Sequence, residues 1–263
     1  MISKYSSSRT LRDNIILGSL TAFAAGAVNV ASFIVFFAFT SNVTGHYAIL
    51  AAEIVKGNFY QVGVVFAWIF LFFLGGFTSN FIVINLSEKR IYTAHALPVL
   101  IEMILLLSVG IYGQYFYSET LNETEILLGL LIYAMGIQNG FTASISNFAI
   151  KTTHLTGATT DMGILFAMFT KKHYRTNTEL QGKAGLLVAA SLFYMLGALA
   201  AGVAQSFLGF RLFYLVCFVL LVVLMYNHSR IHALRHTFAQ KRKDAYKVLM
   251  NAQKQRTGEA NPF

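Results

Sequence analysis

Charge is scarce in this chain. Of its 263 residues only 12% are charged, while 56% are hydrophobic and the mean hydropathy is +0.59. A soluble domain carries roughly twice that charged fraction, so a water-exposed globular fold is excluded. Cysteine is nearly absent: the lone Cys217 cannot form an internal disulfide. Its place in an apolar run, with no neighbouring base, reads as a packed or lipid-facing thiol rather than a nucleophile. Enzyme signatures are missing too. There is no G-x-S-x-G, no Walker A sequence, no H-E-x-x-H and no dinucleotide fingerprint. The expectation is a protein that is not an enzyme and needs no cofactor.

What the chain has instead is long uncharged runs. Residues 62–86 and 185–209 contain no charged side chain. Each exceeds the roughly 20 residues that cross about 30 Å of hydrocarbon as a helix. Membrane barrels show short alternating segments instead, so helices are expected. Six long apolar segments can be drawn, about 14–39, 60–86, 93–116, 125–150, 183–208 and 209–229. Two short ones, about 44–55 and 156–170, fall below a comfortable span.

The net charge of +9 does not point to nucleic acid, because the cations sit at the flanks of apolar runs. With the basic N-terminus in the cytoplasm and six crossings, Lys89-Arg90, the cluster Lys171-Lys172-His173-Tyr174-Arg175 and the tail at Lys241-Arg242-Lys243 all fall inside. The acidic stretch 118–125 falls outside. Eight crossings would move Lys89, Arg90 and Lys151 outside, so six obey the positive-inside bias better. Residues 1–13 then read as a cytoplasmic tail, 14–116 as a first membrane repeat and 117–124 as an external loop. Residues 125–229 form the second repeat and 230–263 a basic cytoplasmic tail facing anionic headgroups. His228, His232 and His236 share one face there. With no acids or thiols beside them they read as part of that basic surface, not as a metal site.

Self-similarity is the most informative feature. Gly26-x-x-Asn29 is followed by Thr40-x-x-x-Thr44-Gly45, and Gly136-x-x-Asn139 by Thr152-x-x-x-Thr156-Gly157. Each T-x-x-x-T-G opens a short apolar segment. Phe72-Phe73-Leu74-Gly75-Gly76 echoes Tyr194-Met195-Leu196-Gly197-Ala198. Three crossings per half is an odd number, so the halves must face opposite ways. The expected fold is an all-α polytopic membrane protein with six long transmembrane helices plus two short broken or re-entrant helices, in two inverted repeats, an architecture common among secondary transporters. Gene duplication without transport would leave the same pattern.

These elements, G-x-x-N, T-S-N-V-T-G and M-G-I-Q-N-G…T-T-H-L-T-G, resemble the YoaK-type bacterial membrane proteins, a family named as a domain of unknown function. The resemblance covers roughly residues 14–229 and implies a bacterial inner-membrane protein. The family usually has Asp at the position of Asn29 and Asn at that of His46. It supplies no activity.

The chemistry must come from the residues. Thr and Asn cap helix starts, and Gly allows close backbone approach. A short helix beginning inside the membrane aims free N–H groups at whatever lies there. Two such starts can bind an anion or a polar solute. The candidate binding residues are Asn29, Thr40, Asn42, Thr44, Gly45, His46, Gln138, Asn139, Thr152, Thr153, Thr156 and Gly157. The plainer alternative is helix packing, which also favours small and hydroxyl residues. Charges within apolar runs are costly, and Glu102 and Asp161 are the candidates for ion coupling. The function expected is secondary transport of a small polar or anionic solute. A channel or facilitator is the alternative, and a membrane-embedded enzyme or a sensor or scaffold a more distant one.

Overall fold

A computed structural model describes residues 10–146 and 151–234. The masses of apolar sequence fold into helices: α1 (Leu11–Phe36), α2 (Val43–Lys56), α3 (Phe59–Leu86), α4 (Ile91–Tyr115), α5 (Leu121–Ile145), α6 (Leu155–Phe169), the single turn α7 (Lys172–Arg175) and α8 (Thr178–Leu208). A 3-10 turn at Gly209–Arg211 joins α8 to α9, residues 212–234. The described residues contain no strand. Five helical stretches are long and apolar enough to cross a membrane; the fifth, Thr178–Leu234, comprises α8, the turn and α9. The chain reverses within that stretch. Gly182 near the start of α8 lies against Leu11, and Tyr226 and Arg230 near the end of α9 bond Asp13, two residues further along α1. Gly209, with a φ of 52°, sits at the corner, in a backbone region that glycine enters without a Cβ penalty.

The surface is that of a protein in lipid. Phe66, Phe70, Phe73, Phe77 and Phe81 form an exposed stripe along α3, with consecutive rings from Phe70 onward 5.8–6.5 Å apart. Leu192, Met195, Leu196, Leu199, Val203 and Phe207 do the same on α8. In water such faces would drive aggregation; in hydrocarbon they are the compatible surface. Inside, the core is built mainly from α1, α5 and α9, with smaller shares from α4 and α8 and Val83 of α3.

Two helix crossings organise this core, and they repeat the same contacts. At one, Gly26 of α1 faces the Tyr194 carbonyl of α8, and Gly197 of α8 faces that of Phe23. At the other, Gly136 of α5 faces the Phe72 carbonyl of α3, and Gly75 of α3 faces that of Tyr133. A Cβ on any of these four glycines would strike the opposite backbone. Small residues let membrane helices touch along their backbones, where dispersion replaces the missing hydrophobic drive. Each half thus lends its first helix to the second long segment of the other half.

The helix starts match as well. Thr10 and Asp13 form a capping box on α1, and Thr120 and Glu123 form one on α5. Such boxes satisfy two otherwise orphan N–H groups. Asp13 accepts from the Tyr226 hydroxyl of α9 at 2.9 Å and Glu123 from the Tyr112 hydroxyl of α4 at 2.8 Å. Asp13 also pairs with Arg230 at 2.6 Å. Helix α1 therefore begins before the boundary read from the sequence, and Asp13 belongs to the core rather than to a tail. Likewise α5 starts at Leu121, within the stretch read as an external loop. The basic tail read at 230–263 begins within α9, and its residues beyond 234 lie outside the described residues.

The glycine crossings set a test. Gly26→Val and Gly75→Val should each destabilise the folded protein in detergent by about 1–3 kcal/mol or more, the cost of overpacking a tight interface, read as a drop in the temperature of unfolding. Gly63→Ala, on α3 with open space around its missing Cβ, should leave that temperature unchanged or raise it slightly.

Candidate functional site

The first T-x-x-x-T-G element follows a helix break that α1 itself holds in place. The break opens at Phe37, which caps α1 with a left-handed φ of 56°. Ser32 Oγ donates to the Ala38 carbonyl at 2.9 Å. Asn29 Oδ1 then accepts from the Thr40 N–H at 2.8 Å, the Thr40 hydroxyl at 3.0 Å and the Ser41 N–H at 3.2 Å. Its Nδ2 donates to the Tyr194 hydroxyl on α8 at 2.6 Å. Backbone groups freed by a break inside a membrane must find protein partners, and one buried amide supplies them. Asn29 and Thr40 are both buried.

The second element is built on the same plan with different partners. Asn139 occupies the position equivalent to Asn29, but the contact to the returning chain comes from its neighbour. Gln138 Nε2 donates to the Thr21 carbonyl of α1 at 2.5 Å and reaches Thr152 Oγ1 at 3.4 Å. The amide orientation follows from this, since the flipped form would press two carbonyl oxygens together. Gln138 Oε1 and Asn139 Oδ1 are enclosed and meet no hydrogen-bond partner. The Asn29 amide is therefore bonded through both its oxygen and its nitrogen, whereas Gln138 and Asn139 each hold an unused acceptor.

The remaining candidates divide between core and periphery. His46 is the one buried residue of α2, its ring 5.7 Å from the Trp68 ring of α3. Asn42 Oδ1 caps the Gly45 N–H at 3.1 Å, and Gly45 makes room for that side chain. In the same way Gly157 makes room for the ring of His154. Asn42, Thr44 and Thr156 are exposed, and Thr153 is half-buried. Helix α2 packs on α3, and α6 on α8 and α7; the two short helices do not touch. What the fold brings inward is their anchors. Thr40 is held at Asn29, and Thr152 meets Gln138, which is itself bonded to Thr21; Asn29 and Thr21 are eight positions apart on α1, or about 12 Å along its axis.

The two carboxylates differ sharply. Asp161 on α6 pairs with Lys183 of α8 at 3.0 Å, both half exposed. Glu102 on α4 is 1% exposed, and its Oε1 has no partner. Its buried neighbours on that face, Val99, Leu106 and Val109, have the buried counterparts Phe213, Leu220 and Val223 on α9 at the same spacing. On that register Glu102 corresponds to Val216. The α4 and α9 faces meet antiparallel: Gly110 touches Phe213 and Tyr214, and the Cys217 thiol lies 3.6 Å from the Met103 carbonyl. The fold is served by valine at the one place and has a carboxyl at the other.

Asn29 offers a direct check on this anchoring. Asn29→Leu strands the Thr40 and Ser41 donors and should cost about 2–4 kcal/mol, several lost hydrogen bonds with their desolvation. Asn29→Asp keeps the acceptor, and Tyr194 can turn its hydroxyl to donate, so most of the stability should survive. Thermal unfolding of the two purified variants separates these outcomes; equal losses would show that the amide anchors nothing.

No curated protein and no solved structure matches the chain. A family model does, the one described as "Protein of unknown function (DUF1275)", over residues 17–226. That match runs from the first turns of α1 into α9, agrees with the family that the motifs resemble, and shows that this chain belongs to the DUF1275 family of membrane proteins.

Proposed function

We propose that the protein is a secondary transporter of a small polar solute, built as six crossings in two inverted repeats. Both termini lie in the cytoplasm, in a bacterial inner membrane. Support for the inversion comes from helix directions. Helix α1 runs parallel to α8, from the Leu11–Gly182 contact to the Val30–Gly202 contact, and α3 runs parallel to α5, from Tyr60–Glu125 to Asn80–Ser144. Helices α4 and α9 are antiparallel. Halves that exchange equivalent helices in this way are related by an axis lying across the bundle.

The observation that carries the proposal is the pair of unmet carbonyl oxygens at Gln138 and Asn139. Buried polar groups in a membrane core are costly unless partnered. These two sit where one chain break is tied to the bundle, while the equivalent amide of the other half is fully bonded. Unused acceptors select a solute bearing N–H or O–H donors, which favours a polar solute over an anion. Thr40, Thr152 and Asn29 are the other buried polar candidates. The peripheral Asn42, Thr44, Gly45, Thr153, Thr156 and Gly157 then shape the breaks, and His46 fixes α2. Glu102, unpaired and enclosed, is the better coupling group; Asp161 already has its cation.

Two experiments test this. In a Cys217→Ser background, single cysteines at Asn122 and Lys172 should label from opposite sides of the membrane, with Asn122 outside. Labelling from one side would remove the inversion. A solute screen by thermal shift on the purified protein, followed by uptake into proteoliposomes, should give concentrative flux that collapses with a protonophore. Flux that never exceeds equilibration would instead make the protein a facilitator. Gln138→Leu should cut uptake by more than an order of magnitude while leaving the protein inserted.

A further inference from the structure

Between α4 and α9 lies a groove of about 350 Å³, lined by residues that include Tyr92, His95, Ala96, Leu224, Asn227 and His228. It opens at the end of the bundle that carries the Asp13–Arg230 pair, since Ser229 and Ile231 also line it. Its polar wall is unusual for this bundle. His95 and Asn227 are buried, and the Tyr92 and His228 rings lie 4.7 Å apart. His95 and Glu102 belong to the same buried face of α4, seven positions or about 10 Å apart. We propose that this groove is the aqueous inlet through which Glu102 exchanges its proton with the cytoplasm, with His95 lining the way.

The inference rests on the transport reading for its purpose, but its geometry stands independently. A carboxyl that the duplicated fold does without on α9, enclosed and with a free oxygen, has no packing role to explain it. The groove stops short of it along the very face it occupies. Glu102 takes one proton from groove water and returns it there; no other bond changes. The groups around the carboxyl leave it the exchanging site. From α9 it faces the Cys217 thiol, which lies within its electrostatic reach. Helix α3 carries no charged residue, and α5 none beyond Glu125 in its first turns. Arg211 of the 3-10 turn is exposed, at the end of α4 where Phe210 packs on Gly113. Protonation keeps the carboxyl neutral in hydrocarbon surroundings, and deprotonation is the costly state that coupling to a solute can offset.

The test needs no solute. In films of the full-length protein in lipid, the protonated-carboxyl stretch that disappears in Glu102→Gln is the reporter, and its shift after transfer to D₂O gives the exchange rate. Ala96→Trp, which fills the groove, should slow that exchange by an order of magnitude or more. Ile126→Trp fills the separate groove between α4 and α5, of about 320 Å³, and should leave the rate unchanged. If Ala96→Trp does not insert, Leu224→Trp fills the same groove from its α9 wall. Exchange at the wild-type rate in a plugged groove overturns the inlet, as does slowing by Ile126→Trp alone or the absence of a band lost in Glu102→Gln. Gated exchange without solute flux would instead sink the transport reading and leave the inlet standing.

Discussion

Everything in this bundle hangs on two backbone-to-backbone approaches, Gly26 with Gly197 and Gly75 with Gly136. Lipid offers no hydrophobic drive to press one apolar helix on another, so contact has to be made attractive by closeness. Glycine removes the only atom that would hold the helices apart. Because the crossings join α1 to α8 and α3 to α5, neither half can form its best interface alone. The fold is a mutual clasp, and α4 and α9 close over it with the Met103–Cys217 contact between them.

The clasp explains how irregular chain is tolerated beside it. Asn29 lies three residues beyond Gly26, and its amide bonds at once the broken chain and Tyr194 of the partner helix. The residue whose carbonyl touches Gly26 is that same Tyr194. Close approach and polar anchoring are therefore one local arrangement. At the second crossing the counterpart of Tyr194 is Phe72 of α3, which offers no hydroxyl, and the counterpart amide at Asn139 is left with an unbonded oxygen. The two crossings share their packing and differ in the polar chemistry beside it.

Much of this was legible in the residues. Apolar run length gave the long helices to within a few positions, and the short segments 44–55 and 156–170 reappear as α2 and α6, each shifted by about one residue. The paired glycines recur at the two helix crossings. Two things were less visible. Which helix pairs with which depends on tertiary exchange between the halves, and a repeat says only that contacts recur. The role of Asn29 was hidden too, because spacing cannot tell an amide that faces a solute from one that holds its own loop. The capping boxes Thr10-x-x-Asp13 and Thr120-x-x-Glu123 stood in plain view, yet charge counting assigns both acids to tail and loop. A capping-box signature ahead of an apolar run outweighs the charge it contains.

Asymmetry between matched positions is the sharper guide to function here. Where both halves carry the same residue type, as at the glycine crossings or along Leu106 and Leu220, the fold alone accounts for it. Where one half departs, the scaffold's requirement is already met by the other residue, and the departure asks for its own cause. Arg230, absent from the end of α4 that holds Tyr112, makes the latch at Asp13 an ion pair, while the latch at Glu123 is a hydroxyl donating to a carboxylate. The two ends of the bundle are thus held unequally. Glu102 opposite Val216 is the more expensive departure, since it places an ionisable group in a wall of valine and leucine with an oxygen unbonded. An ionisable group of that kind in a membrane core marks function more often than packing, and proton exchange is the role we propose for this one.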